Sequence, residues 1–286
     1  MDPRRVLTFR AVAHERSFSR AARTLALTQP AVSQQVAALE REVGARLLDR
    51  EPGGLRLTRA GEVLLSHADA IAERFALAET QLGELVAPGR LRIGAFPSAL
   101  AALVPKAAAR FESVVLEEGS TPDLAERVRR GDLHLAVGFQ DAAQPRREHE
   151  GVERRDMLSE PFLVALWPGH PLAERSEVPI GALAEQPWVA PSGDNLIARA
   201  CRAAGFEPRM VMISRDPLAN RALIAQGLAV TIVPKLLAGE FTGVELRPVA
   251  GDGPRRDVYA LLPPGGRHPL AEDAFAALLE VASELA

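Results

Sequence analysis

Ser17–Glu42 reads SFSRAARTLALTQPAVSQQVAALERE, and its apolar spacing and break residues spell two short helices meeting at a tight turn. The first is predicted from Ser19 to Leu25, where Ala21 and Ala22 are small enough to admit a second helix and Leu25 points inward. Ser17 and Ser19 are each able to cap its start. After Ala26 and Leu27, Thr28 reads as an N-cap, and Pro30 falls in a first turn where a missing N–H does no harm. Val32, Val36, Leu39 and Val43 then recur at spacings of four, three and four, one helical face. The opposite face carries Gln29, Ala31, Ser33, Gln34 and Gln35. Gln can donate to and accept from an adenine edge in the major groove, while Ala and the Pro ring can meet a thymine methyl. In isolation the same pattern fits any amphipathic helix with a polar outer face; the surrounding charge decides for DNA.

That charge is split along the chain. Residues 1–60 hold eleven arginines against six carboxylates, a net +5, whereas the whole chain carries −3. A basic head on an acidic body suits a phosphate backbone. Gly44 ends the second helix, and LLDREPGGLRLT (47–58) reads as two short strands around a Pro-Gly-Gly turn. This is a wing that places Arg50 and Arg56 near phosphates, or else a small hairpin with solvated arginines, and Thr58 begins the next helix.

These residues resemble the LysR-type transcriptional regulators. The match runs from a first helix through Leu7, Phe9 and Val12 to S-F-S-R-A-A-R-x-L and T-Q-P-A-V-S-Q-Q-V-x-x-L-E. It continues through G-x-x-L-L-x-R (Gly44–Arg50) and L-T-x-A-G (Leu57–Gly61). The resemblance implies that Gln29, Pro30, Ala31, Ser33 and Gln34 sit in or beside the major groove; Thr28, Arg50 and Arg56 complete the candidate DNA-binding set. Two departures stand out, since the family often has Arg at the position of Gln34 and Phe at that of Leu48. Gln34 keeps hydrogen-bonding capacity but removes one charge, which lowers the expected salt dependence by about one phosphate contact.

From Glu62 to Val86 there is no proline and a single late glycine, and Leu64, Ala68, Ile71, Phe75, Ala78, Leu82 and Leu85 alternate at spacings of four and three. This is a heptad seam on a helix of roughly 35 to 40 Å. A small winged domain cannot bury it alone, so a homodimer through this helix is expected; a single helix lying on its own effector domain is the alternative. Two recognition helices would read an interrupted palindrome in double-stranded DNA. The resemblance implies the same, commonly with a homotetramer built from two dimers.

Val86-Ala87-Pro88-Gly89-Arg90 suits a hinge. Beyond it LRIGAF, a helix from Ala99 to Phe111, VVLEE, a helix from Pro122 to Arg130 and LHLAVGF follow in β-α-β-α-β order, which predicts a parallel sheet flanked by helices. PFLVALW, a helix over about 194–204, MVMIS, a helix from Pro217 to Gln226 and AVTIVP form a second unit, followed by DVYALLP and a closing helix from Leu270 to Leu285. The expected fold class is α/β: an N-terminal winged helix-turn-helix (1–60), a linker helix (61–87) and a two-lobed α/β effector-binding domain resembling periplasmic binding proteins (88–286). Lobe I is expected over about 90–158 and 265–286, lobe II over about 159–264.

Ligands of open parallel sheets bind at strand carboxyl ends beside helix N-termini. Ser98 follows the first strand there, Ser120 and Thr121 the second, and Pro191, Ser192 and Gly193 follow the strand ending WVA. These six are the candidate effector-binding residues, and the resemblance places effector contacts at the same loops. Each hydroxyl can equally be a simple helix cap. Phe96 and Pro97 stand where the family often has smaller residues, so a narrower or more apolar cleft is expected. Effector charge stays open, with a small anion at the helix N-termini preferred.

The six histidines are scattered, none at metal-ligand spacing, and His134, where the family usually has Asp, and His170 read as structural. No nucleophile elbow, phosphate-binding loop or dinucleotide fingerprint occurs, so neither an enzyme nor a cofactor is expected. Cys201 is alone, which precludes an intrachain disulfide, and MDPRRVLTF lacks the apolar stretch of a signal peptide. A cytoplasmic regulator with no membrane segment is the expectation, controlled by a small-molecule effector and, by resemblance, touching RNA polymerase. The rival classes are a ligand-binding protein and an enzyme with a winged-helix appendage.

Overall fold

The computed structural model describes residues 1–51, 54–86, 90–192, 195–265 and 268–285. They form two compact units, Met1–Thr80 and Gln81–Ala286.

The first unit comprises α1 (Pro3–Glu15), α2 (Phe18–Thr24), α3 (Gln29–Val43), β1 (Leu48–Glu51), β2 (Gly54–Leu57) and the start of α4 (Arg59–Val86). Asp2, Ser17 and Thr28 cap the first three helices through side-chain oxygens. The α2–α3 turn is closed by Ala26, which adopts a left-handed φ of 52°. Phe9, Val12, Ala21, Val32 and Leu39 are buried where the three helices meet. Glu40 reaches out of α3 to accept from the amides of Leu47 (2.8 Å) and Leu48 (3.3 Å), which fixes the wing hairpin to the helix before it. In the hairpin, β1 and β2 pair antiparallel with Asp49 opposite Arg56. Gly61 lets α4 enter close to that segment, since a Cβ there would lie 2.1 Å from the Leu47 carbonyl oxygen.

The heptad seam is divided in the structure. Leu64 and Ala68 are buried in the first unit's own core, whereas Ile71, Phe75, Ala78 and Leu82 are exposed. The side chain of Leu85 lies outside the described residues, as do 87–89 of the expected hinge.

The second unit begins with β3 (Leu91–Ala95), α5 (Pro97–Ala102), α6 (Val104–Ala108), β4 (Val114–Glu118), α7 (Thr121–Arg130) and β5 (Leu135–Asp141). The single helix expected over 99–111 is broken at Leu103, because Pro105 lacks the N–H that would carry it on. β3 pairs parallel with both β4 and β5, as the β-α-β-α-β pattern predicts. The chain continues through β6 (Glu153–Leu166), β7 (Pro187–Ala190), α8 (Leu196–Ala203), β8 (Arg209–Ile213), α9 (Pro217–Ala225), β9 (Thr231–Pro234), β10 (Glu245–Pro248), β11 (Arg255–Leu262) and α10 (Ala271–Leu285).

β6 is twice the strand expected from PFLVALW. Its first half, rich in charged residues and therefore silent to hydropathy, pairs antiparallel with β11; its second half pairs with β9 and β10. β11 also pairs antiparallel with β5, so residues 255–262 belong to the first lobe's sheet and not to lobe II, where the sequence reading put them. Hydropathy marks a strand but not the sheet that accepts it. The second lobe is completed by the parallel pair β7–β8, tied to β9 through a Trp188–Val230 bridge.

Candidate DNA-reading face and effector cavity

Thr28, Gln29, Pro30 and Gln34 are exposed, and Ala31 and Ser33 half-buried, on one side of α3's first two turns. Thr28 Oγ1 accepts from the Ala31 amide at 3.4 Å, so the N-terminal end of the helix is ordered by a side chain that itself faces outward. Gln35 departs from the sequence reading. Its Oε1 accepts from Thr8 Oγ1 at 2.5 Å, and Thr8 is buried, so Gln35 ties α3 to α1 instead of joining the outward face. Arg56 is exposed on β2; the side chain of Arg50 lies outside the described residues. Against the desolvation of partial burial, hydrogen bonds from His14 and Arg10 of α1 hold the Asp69 carboxyl of α4 below its usual range.

In the second unit a cavity of about 410 Å³ opens between the lobes. Ser98, Ser120, Thr121, Pro191 and Ser192 all line it; Gly193 lies outside the described residues. The capping role holds for Ser120, whose Oγ accepts from the Asp123 amide; α5 has no side-chain cap, and α8 is capped by Asn195, whose Oδ1 accepts from the amides of Ile197 and Ala198. The Thr121 hydroxyl is committed to the β5 backbone, accepting from the Phe139 amide (3.2 Å) and donating to its carbonyl (3.4 Å). Ser98 is buried in the wall. The apolar lining is extensive, with Phe96, Phe139, Phe162 and Phe241 beside Ile232 and Val233, in keeping with the apolar cleft expected from Phe96 and Pro97.

Sequence reasoning missed the most charged feature of this wall, Arg256 on β11. Its side chain is 5% exposed and its Nε donates to Glu160 Oε1 at 2.7 Å, while Glu160 Oε2 accepts from the Leu236 amide at 2.7 Å. Burial presses the Arg256 pKa down and Glu160 opposes that shift. Alternation gave no clear signal for it: Val258 and Ala260 share its face of the strand, but Tyr259 and Leu261 on the other face are equally buried.

The remaining candidates are structural. His134 Nδ1 accepts from the Arg92 amide at 3.1 Å, and its ring stacks on that of buried His268 at 4.4 Å. His170 Nδ1 accepts from the Leu172 amide, and burial lowers its pKa. Cys201 is buried, and that burial pushes its thiol up to about 12. Among the described residues no group of His, Cys, Asp and Glu could hold a metal ion, and no helix is long and apolar enough to cross a membrane.

A winged helix-turn-helix joined to a two-lobed α/β domain with an interlobe cavity defines a class, the DNA-binding transcription regulators that carry their own ligand-binding domain. Residues 3–62 match the family described as bacterial regulatory helix-turn-helix protein, lysR family, and residues 86–283 match the LysR substrate binding domain. The chain belongs to the LysR family of transcriptional regulators.

Among curated relatives it is similar to the Hca operon transcriptional activator HcaR of Escherichia coli (strain K12), 31% identical over 98% of each chain. It is also similar to the SDS degradation transcriptional activation protein of a Pseudomonas strain, 30% identical over 93% of this chain and 91% of that one. Solved structures share the fold. ArgP from Mycobacterium tuberculosis superposes with a TM-score of 0.63 at 23% identity, covering 99% of this chain and 98% of that one. Full-length CbnR complexed with its target DNA gives 0.55 at 24% identity, covering 99% and 100%. The chain is accordingly a sequence-specific DNA-binding regulator with a substrate-binding domain, and not an enzyme.

Proposed function

We propose that this regulator reads an interrupted palindrome as a homodimer joined through α4, assembled further into a tetramer, in the cytoplasm. A small effector held between the lobes changes the angle between dimers, and with it the DNA bend and the contact with RNA polymerase. The cavity carries this reading: its walls come from both lobes, so a ligand there contacts both, and only a ligand that prefers one lobe arrangement can shift the equilibrium. The exposed apolar run Ile71, Phe75 and Leu82 supports α4 as the dimer seam. In the DNA-binding unit, Gln29 and Gln34 read base edges, with Thr28, Pro30, Ala31 and Ser33 alongside them, while Arg50 and Arg56 meet phosphates.

The test is a salt-controlled titration on DNA upstream of the protein's own gene beside random DNA of equal length. Gln29→Ala is expected to relax sequence choice at one base pair, at about 1–3 kcal/mol of discrimination, whereas Arg56→Ala weakens binding to all sequences alike. Equal losses on both DNAs for both variants would refute these assignments.

A further inference from the structure

Gln34 and Gln35 are neighbours in α3, and only the tertiary structure separates their duties. Gln35 is half-buried and its Oε1 lies 2.5 Å from Thr8 Oγ1, so its amide belongs to the contact between α1 and α3. Gln34 is exposed. Two positions along an α-helix turn a side chain by about 200°. Gln34, two after Val32 and two before Val36, therefore stands opposite both, and both valines are buried in the core of the unit. Pro30, Gln34, Ala37 and Arg41 are all exposed and recur at spacings of four, three and four, which makes them one outward stripe along α3.

The middle of that stripe is chemically simple. Pro30 and Ala37 bring no polar side-chain group, and Arg41 turns its Nε back to the Ala37 carbonyl at 3.4 Å. Between Arg23 and Glu40 the chain carries no charged side chain, and Glu40 is taken up by the amides of Leu47 and Leu48. Gln34 thus presents a neutral amide, one edge donating and one accepting. Adenine shows its N7 acceptor beside its N6 donor in the major groove, the complement of that amide. Guanine shows two acceptors, N7 and O6, so an amide laid on it keeps one hydrogen bond and sets two oxygens against each other. A guanidinium, with two parallel donors, has the opposite preference.

We propose that Gln34 is a specificity-determining residue that takes adenine at one position of the target half-site, where an arginine at the same place on the helix would take guanine. This rests on α3 being the helix that enters the major groove, and it names the base that one of its side chains reads.

The test is selection of binding sites by the full-length protein from duplexes with a randomised segment. The selected duplex and its single-base-pair changes are then titrated at several salt concentrations with the parent, Gln34→Arg, Gln34→Ala and Gln29→Ala. Arg and Ala are both good helix formers, and Gln34 is exposed, so these variants keep the fold. For the parent, one A·T pair is expected whose replacement by G·C weakens binding at least about fivefold, the lower bound for a bidentate base contact. Gln34→Arg should change the selected pair at that position to G·C, and Gln34→Ala should leave it indifferent, with the other positions kept. If Gln34 instead meets a phosphate, Gln34→Arg tightens binding to all duplexes alike, steepens the slope of log affinity against log salt by about 0.9 and leaves the selected sequence as it was. That result, or a parent preference for G·C at the Gln34-dependent position, overturns the proposal; α3 remains the reading helix so long as Gln29→Ala relaxes a position of its own. If the parent selects no common sequence, the proposal and the reading of α3 both fall.

Discussion

Single residues set the tolerances of this fold. Gly61 is required by the path of the backbone: any side chain there meets the Leu47 carbonyl, which cannot retreat without moving the wing. Gly61→Ala is expected to destabilise the DNA-binding unit by about 1–3 kcal/mol, the usual cost of overpacking, seen as a lower first transition in thermal unfolding. Gly83, further along α4, has nothing within 4 Å of a Cβ, so Gly83→Ala should instead stabilise by up to about 1 kcal/mol. A glycine in L-T-x-A-G was visible in the sequence, but the carbonyl that makes it necessary is fourteen residues away in the chain. Arg256 teaches the converse. Its partner Glu160 is supplied by a neighbouring strand whose pairing no local pattern specifies.

At the scale of elements, α7 shows how charge supports a helix end. Hydrogen bonds from Arg129 first, then from Arg130, hold the Glu126 carboxyl at about 2, well below its ordinary 4.5. A depressed folded-state pKa contributes stability that is complete above pH 4.5 and is lost as pH falls toward 2. With the Glu126 side chain 39% exposed, solvent screening keeps the contribution below about 1 kcal/mol. Thermal unfolding of Glu126→Gln beside the parent should show a small deficit at pH 7 that closes by pH 2.

The long helix α4 divides its apolar face between two duties. Leu64 and Ala68 belong to its own unit's core, whereas Phe75 is 50% exposed, the position the proposed dimer seam needs. For the proposed dimer, Phe75→Glu is expected to give a monomer in sedimentation velocity without lowering the first thermal transition; a sedimentation coefficient equal to the parent's would remove α4 from the interface. The helix itself was legible because a 3.6-residue period persists through it. Which turns its own unit would cover was not, because that depends on where α1 and α3 end.

For the molecule as a whole, the second unit is where tertiary structure adds most. Across the lobes, Arg199 of α8 donates to Asp141 at the end of β5 from Nε (3.2 Å) and Nη2 (3.1 Å). This pair is a direct link between the lobes. Arg199 is 39% exposed, so the tie is worth at most about 1 kcal/mol. Arg199→Ala should therefore leave the global melting temperature almost unchanged, yet speed amide hydrogen exchange in α8 and the loop after β4 up to about fivefold; exchange rates equal to the parent's would mean that the lobes do not hinge on this pair. By itself the sequence determined the helix-turn-helix, its wing, the long helix and the alternation of strands and helices, because capping residues, breakers and hydrophobic period act over a few neighbouring positions. Only the tertiary structure decided that β11 returns to the first lobe, that β6 serves both lobes, and that Arg256, paired with Glu160, lines the same cavity as Asn220. Those outcomes depend on hydrogen-bond pairing and burial between segments as much as 125 residues apart, as in the pairing of Leu261 with Ala136, for which a linear pattern carries no register.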